Sequence, residues 1–120
     1  MRTDRMRRVD EAIRQVIGDV VASELKDPRV GFVTVTDVRT SADLRHARVY
    51  VSVLGTPEER QASLDGLQSA GGFLQGRVAA ELRLKRTPAL DFRYDETTER
   101  AMRLGSILAD PDAGGAPRDP

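Results

Sequence analysis

Cysteine and tryptophan are absent from this 120-residue chain, and histidine occurs once. Without cysteine the chain can form neither a disulfide bond nor a thiolate metal cage, and one histidine cannot supply an imidazole-rich metal site, so no metal or other cofactor is expected. No apolar run is long enough to cross a bilayer, and the arginine-rich start lacks the apolar stretch of a secretory signal. We therefore expect a soluble, cytoplasmic protein without a membrane partner.

A recognisable catalytic constellation is also lacking. His46 lies between Arg45 and Arg48, and no serine or acidic partner stands at a recognisable spacing from it, so a solvent-exposed histidine is favoured over a general base. The carboxylates are spread singly, without the spacing of a metal-binding loop or an acidic pair. We expect no enzymatic activity.

The charges balance overall but are distributed unevenly. The chain carries 19 basic and 19 acidic residues, and this zero net charge argues against a strongly basic nucleic-acid binder. Residues 1–8 and 76–86 nevertheless carry an excess of positive charge, and residues 95–120 an excess of negative charge. All basic residues except Lys26 and Lys85 are arginine, which suits bidentate phosphate contacts and base stacking, although a GC-rich genome would produce the same bias.

The first half of the chain predicts one helix and a hairpin. Apolar residues recur at helical spacing over four turns and predict an amphipathic helix over residues 6–25, which Asp27-Pro28 should end. Residues 31–40 are rich in valine and threonine, and in residues 47–53 valine and alanine alternate with polar residues, so two strands are predicted. The intervening loop, residues 41–44, predicts an antiparallel pair.

The second half predicts two helices separated by a break. Thr56-Pro57-Glu58-Glu59 combines a hydroxyl N-cap, a proline at the first helical position and a glutamate three residues after the cap. The helix that begins there should run to Ala70-Gly71-Gly72, and a third helix should end near Leu84. Its expected apolar side is Phe73, Leu74, Val78 and Leu82.

Thr87-Pro88 should stop this third helix, and a third strand follows in which Leu90, Phe92 and Tyr94 alternate with charged residues. A short last helix is suggested by Ala101, Leu104 and Leu108, and residues 110–120 read as a disordered tail.

This order predicts one α+β domain over residues 1–109, in which helices cover one face of a small sheet. The third strand can return to the sheet only by a crossover, so it should lie parallel to the second strand.

Two groups of residues are candidates for phosphate binding. At the Ala70-Gly71-Gly72 break, missing Cβ atoms and the free N–H groups of a new helix would favour an anion, with Arg77, Arg83, Lys85 and Arg86 further along. Alternatively, the glycines only let two helices pack closely at a bend. The positive charges of Arg5, Arg7 and Arg8 lie near the positive end of the dipole of the first helix, where they are unfavourable. A bound phosphate would make these charges favourable. The other explanation is a frayed terminus whose charges are well screened.

Six short segments, taken together in their order and spacing, resemble the bacterial ribosome-binding factor A family over residues 5–108. They are Arg8-Val9, the turn DPRVG at 27–31, the strand VTVT at 33–36, ARVYVS at 47–52, AGGF at 70–73 and TPALDF at 87–92. The resemblance implies a type II KH-like domain with a three-stranded mixed sheet. It also implies binding to the 30S small ribosomal subunit and help in late maturation of 16S rRNA, including its 5′ end, notably at low temperature.

The G-x-x-G loop with which typical KH domains clamp single-stranded nucleic acid is absent here. Residues 70–72 instead resemble the Ala-x-Gly kink that replaces this loop in the family, which supports RNA contact near the kink without a four-nucleotide clamp. Gln75 stands where the family often has arginine, which leaves open the face of the third helix that meets RNA. The predicted RNA-binding residues are Arg7, Arg8, Ala70, Gly71, Gly72, Arg77, Arg83, Lys85 and Arg86.

We expect a monomer that contacts 16S rRNA chiefly through phosphates. The alternative is a protein-binding or dimerising α+β module without RNA contact, which the low net charge supports.

Overall fold

The computed structural model describes residues 2–97 and confirms the predicted order of elements. These are α1 (Asp4–Ser23), β1 (Phe32–Thr40), β2 (His46–Leu54), α2 (Pro57–Ser69), α3 (Gly71–Leu82) and β3 (Ala89–Tyr94). The predicted last helix and the predicted disordered tail at 110–120 lie outside the described residues. Among the helices of this part of the chain, none has the length and apolar character needed to span a membrane.

Helix α1 is shifted by two residues at each end relative to the predicted 6–25. It begins earlier because the hydroxyl of Thr3 caps it by accepting a hydrogen bond from the backbone N–H three residues on. It ends earlier because the N–H groups of Glu24 and Leu25 both donate to the carbonyl of Val20. The predicted terminator, Asp27-Pro28, therefore lies in the turn after the helix and does not end it.

The sheet has the order β1-β2-β3, and both predicted pairings are confirmed. Strands β1 and β2 are antiparallel, and β3 is parallel to β2. The pairing register shifts between Val35 and Asp37, so Thr36 forms a bulge that the sequence did not predict. Because the bulge inserts one residue, Asp37 and Arg39 lie on the same face of the sheet as Thr34. Without the bulge, these odd-numbered residues would lie on the face opposite to the even-numbered Thr34.

The core lies on one side of the sheet. On β2 the alternating residues Ala47, Val49, Val51 and Val53 are buried, and all three helices pack against this face. The helices contribute side chains that are fully buried: Ile13, Ile17, Leu67, Leu74 and Val78. The opposite face, which we call the open face, is formed by the intervening residues of each strand.

The start of α1 is fixed to the end of β1 by a buried carboxylate. Asp10 accepts hydrogen bonds from the backbone N–H of Thr40 at 2.9 Å and from its hydroxyl at 2.7 Å, and it forms an ion pair with Arg2. A buried carboxylate is tolerated when its oxygens are paired in this way.

The turn between α1 and β1 is held against α2. Ser63 Oγ accepts a hydrogen bond from Gly31 N–H at 3.1 Å and donates to the carbonyl of Arg29 at 3.3 Å. The Arg29 guanidinium also bonds to Asp27 and lowers the pKa of that carboxyl to about 2. Gly66 lies beneath the turn, where an added Cβ would be 2.7 Å from Cγ2 of Val30.

We predict that Gly66→Val lowers the free energy of unfolding by about 2 kcal/mol or more, because the new side chain would overpack a stiff β-branched neighbour. Urea unfolding provides the measurement. Gly18→Val is the matched control, since a Cβ at that helical glycine meets nothing within 4 Å. Equal stability changes in the two variants would contradict the close packing of the turn on α2.

Candidate nucleic-acid interface

The predicted break between α2 and α3 is a kink without a connecting loop. The N–H of Ala70 donates to the carbonyls of Gly66 and Leu67, as in a helix end, and its own carbonyl accepts from Leu74 N–H at 2.9 Å, as in a helix start. No side chain within residues 2–97 caps α3, and its first turn holds no acidic residue. The N-terminal N–H groups of α3 are therefore available to an anion from outside the fold.

Neither glycine of the kink is required by the interior of the fold. Among the described glycines only Gly55 has a positive φ, so Gly71 and Gly72 adopt backbone angles that other residues tolerate. A Cβ on Gly72 would meet nothing within 4 Å, and one on Gly71 would meet only the amide nitrogen of Gln68, at 3.9 Å. The alternative that these glycines allow two helices to pack closely is therefore not supported.

The outward side of α3 is smooth. Gly72, Gly76 and Ala80 follow one another at successive turns, and all three are exposed. Phe73 is next to this row and is 50% exposed. The prediction that Phe73 belongs to the apolar side of the helix is wrong, because Leu74 and Val78 fill the core and Phe73 lies about 100° away from Leu74.

Gln75 faces the fold. Its side-chain amide donates hydrogen bonds to the carbonyls of Thr87 and Pro88, at 3.3 and 3.1 Å, and so fixes the segment that leads into β3. Gln75 is therefore directed toward the fold, whereas the row of Gly72, Gly76 and Ala80 faces solvent.

Arg77 is held within the fold by an ion pair with Glu24, the residue after the last turn of α1. This contact links α3 to α1 and engages the guanidinium that the sequence assigned to phosphate. Its role in RNA binding stays a prediction, but it does not act as an isolated cation in this structure.

Arg83, Lys85 and Arg86 form an exposed group at the far end of α3, and none of them has an ion-pair partner in the described part of the chain. Arg83 ends the helix in a left-handed conformation, with φ 50°, and its N–H bonds to the carbonyl of Ala79 at 3.1 Å. Glycine usually occupies such a position, because a Cβ makes this backbone angle unfavourable.

Of the N-terminal arginines, Arg7 does not lie with the basic group at the far end of α3. Arg7 lies in a shallow groove between α1 and the edge strand β1, where Arg14, Asp37 and Arg39 are its neighbours. Arg8 is exposed on α1. The structure thus places Arg7 beside β1, whereas the kink and the basic group at the far end belong to α3.

Residues 5–108 match a protein-family model described as Ribosome-binding factor A. The chain belongs to the ribosome-binding factor A family. A curated ribosome-binding factor A from Halothermothrix orenii is 41% identical over 108 residues, covering 90% of this chain and 88% of the relative.

Solved structures of ribosome-binding factor A share the fold. A solution NMR structure from Thermotoga maritima has a TM-score of 0.71 and 36% identity, with 81% of this chain and 92% of that chain covered. A Thermus thermophilus ribosome-binding factor A, fitted as a homology model into a cryo-electron microscopy map of its complex with the 30S subunit, has a TM-score of 0.62 and 26% identity, with 73% and 92% covered. The α+β architecture is consistent with the type II KH-like description.

We predict that Arg83→Gly raises the free energy of unfolding of this protein by about 1 kcal/mol, because glycine tolerates the left-handed backbone angle. Urea unfolding measures the change. Lys85→Gly is the control, since Lys85 is exposed nearby and its φ is not positive. An equal gain from both substitutions would show that the backbone angle of Arg83 is not the cause.

Proposed function

We propose that this protein is a non-catalytic assembly factor that binds the 30S ribosomal subunit and contacts its 16S rRNA through the outward side of α3. The observation that carries the proposal is the uncapped start of α3, followed by a smooth face that the interior of the fold does not require. Membership of the ribosome-binding factor A family supports it, as does the relative fitted into a map of a 30S complex.

Each part of this surface suits a different feature of RNA. The free N–H groups and the positive end of the helix dipole at residues 71–73 favour a phosphate. The missing side chains of Gly72 and Gly76 allow a sugar–phosphate backbone to approach closely. Phe73 offers a ring on which an unpaired base can stack.

The basic group at Arg83, Lys85 and Arg86 extends the surface beyond the other end of α3. A 12-residue helix is about 18 Å long, so the kink and this group can contact phosphates that are well separated. In this proposal the phosphate contacts provide affinity, and the shape of the folded RNA provides specificity.

We further propose that binding assists late maturation of 16S rRNA, including its 5′ end and notably at low temperature, and that the protein acts as a cytoplasmic monomer. Family membership supports these points. A non-catalytic role is consistent with these proposals, because a factor of this kind would act by stabilising one conformation of the RNA.

We predict that Gly72→Val leaves the protein folded but weakens binding to 30S subunits roughly tenfold, which corresponds to about 1.4 kcal/mol. The side chain would project outward from the surface proposed to face the RNA, and its Cβ would meet no atom of the fold within 4 Å. Binding is measured by titration of isolated subunits, and stability by thermal unfolding. Gly18→Val is again the control and should bind as the parent protein does; unchanged binding of the folded Gly72 variant would contradict the site.

We also predict that replacing Lys85 and Arg86 together by alanine reduces both the affinity for 30S subunits and its salt dependence. Each lost phosphate contact should flatten the slope of log affinity against log salt concentration by about 0.7 to 0.9. Both residues are exposed and follow α3, so the fold should be unaffected. Subunit titrations at several salt concentrations provide the slopes.

Replacing Arg39 and Arg45 by alanine removes the same charge from exposed positions elsewhere and should leave the slope unchanged. An equal slope for the parent protein and the Lys85 and Arg86 variant would remove these two residues from the RNA site. A slope near zero for every protein would contradict phosphate binding and favour the alternative of an apolar protein-binding module.

A further inference from the structure

The backbone groups of strand β1 point alternately toward β2 and toward the outer edge of the sheet. Ser41, next to the end of β1, donates its N–H to the carbonyl of His46 at 2.8 Å, so Arg39 also faces β2 and Thr40 faces outward. The bulge at Thr36 adds one residue, and the alternation changes parity there. The residues of β1 whose N–H and C=O groups face outward are therefore Val33, Val35, Val38 and Thr40.

The outer edge of β1 is closed at the Thr40 end. The N–H of Thr40 donates to the Asp10 carboxylate at 2.9 Å, and its carbonyl accepts from the Arg2 guanidinium at 3.0 Å. The N–H of Val38 donates to the carboxylate of Asp37 at 2.9 Å. Side chains of the same chain thus occupy the places at which a further strand would pair.

Before the bulge, the outer edge of β1 is open. Within residues 2–97, no group hydrogen-bonds to the outward N–H and C=O groups of Val33 or Val35. Phe32 and Thr34 are exposed and Val33 is half-buried, so another chain can approach this stretch from solvent. We call residues 32–35 the open edge.

The outer edge of β3 shows that the open edge of β1 is not a general property of this sheet. The side-chain amide of Gln68, on α2, donates to the carbonyl of Leu90 at 3.3 Å and accepts from the N–H of Phe92 at 3.2 Å. One carboxamide thereby takes the place of a neighbouring strand along the middle of β3. Unpaired strand edges attract other chains, and within the described residues this closure is found on β3 but not on residues 32–35 of β1.

Two large apolar side chains lie next to the open edge. Phe32 is 80% exposed and Leu54 is 76% exposed. They are directly opposite each other in the register of β1 and β2 and lie on the open face, so they form one apolar patch, which we call the Phe32–Leu54 pair. The coincidence of unpaired backbone groups and an uncovered apolar pair indicates a contact site.

We propose that the open edge binds a short extended segment of a partner protein as an additional antiparallel strand. Residues of the segment opposite Val33 and Val35 would exchange backbone hydrogen bonds with them. Residues opposite Phe32 and Thr34 would point to the open face and pack apolar side chains on the Phe32–Leu54 pair. This site is separate from the outward side of α3 and gives the protein a polypeptide partner in addition to RNA.

The chemistry of the site favours a polypeptide segment over RNA and over a second copy of the chain. Backbone N–H and C=O groups at strand spacing match another polypeptide backbone, whereas Arg39 and Arg48, which would attract phosphate, lie at the other end of the sheet. In a symmetric pair of copies with Val33 opposite Val35, the second copy would place its bulge against Phe32 in place of an apolar side chain. A contact of four residues also falls below the roughly 800 Å² per partner that a stable interface buries, which suits a short and reversibly bound segment.

The probe for this inference is a short acetylated peptide in which threonine and leucine alternate, with lysines at one end for solubility. The isotope-labelled full-length protein is titrated with it and followed by NMR. The amide signals of Val33 and Val35 should shift and their hydrogen exchange should slow. Leucine methyl groups should give NOEs to the ring of Phe32, and salt should have little effect on the affinity because the contact is apolar and uncharged.

Two N-methylated forms of the peptide provide the matched comparison. Methyl groups on the threonine nitrogens block the N–H groups that would point to β1, and should abolish binding. The same number of methyl groups on the leucine nitrogens would point away from β1, and should leave binding intact. An equal effect of the two modifications would overturn the proposal.

A doubly substituted protein, Phe32→Thr with Leu54→Thr, tests the apolar part of the site. It should bind the unmodified peptide roughly tenfold more weakly, because the leucine side chains lose the surface on which they pack. Both positions are exposed, so the fold should be retained, and thermal unfolding checks this. Phe73→Thr is the control, since it removes an exposed aromatic ring from α3 and should bind the peptide as the parent protein does.

No binding of the peptide, or an unchanged affinity of the double variant, would overturn the proposal. Shifts of Val33 and Val35 on addition of single-stranded RNA but not of the peptide would assign the open edge to nucleic acid instead. Shifts of these signals on dilution, with a mass of two chains in sedimentation, would assign it to a second copy. None of these measurements uses ribosomal subunits, so failure of this site and failure of the RNA site on α3 are distinguishable.

Discussion

The alternation of side chains along β2 is the constraint on which the rest of the fold depends. Because Ala47, Val49, Val51 and Val53 all point to one side, a strand paired on either edge of β2 must bury its apolar residues on that side as well. Burial of one such aliphatic side chain contributes roughly 1.5–3 kcal/mol, which favours the packing of α1, α2 and α3 on this side of the sheet. Three helices then share one face, α3 packs beside α1, and the back of α3 faces solvent.

Features set by neighbouring residues could be predicted from the sequence. The helical spacing of apolar residues in α1 and their alternation in β2 can be recognised without a structure, because each pattern arises within one segment that buries one side. The start of α2 is equally local: Thr56 Oγ1 accepts from Glu59 N–H at 3.1 Å, and the Glu59 carboxylate accepts from Thr56 N–H at 2.8 Å. The kink was predicted for the same reason, since a glycine pair weakens a continuous helix wherever it lies.

Features set by partners distant in sequence could not be predicted. The sequence defines the angular position of Arg77 around the axis of α3. It does not show that Glu24 lies next to Arg77 or that Arg7 lies beside β1. The bulge at Thr36 exists only relative to the register of β2. Phe73 could have been placed correctly, because the spacing of Leu74, Val78 and Leu82 already defines a stripe that leaves it out.

The strand order also determines when the surface proposed to face RNA forms during folding. Strand β2 has one partner across a tight hairpin and another roughly forty residues further along the chain, and closing the larger loop requires more conformational entropy to be lost. That larger loop consists of α2, the kink and α3. A chain in which only the hairpin has formed therefore lacks the entire surface, so under the proposed function association with a subunit would select molecules whose folding is complete.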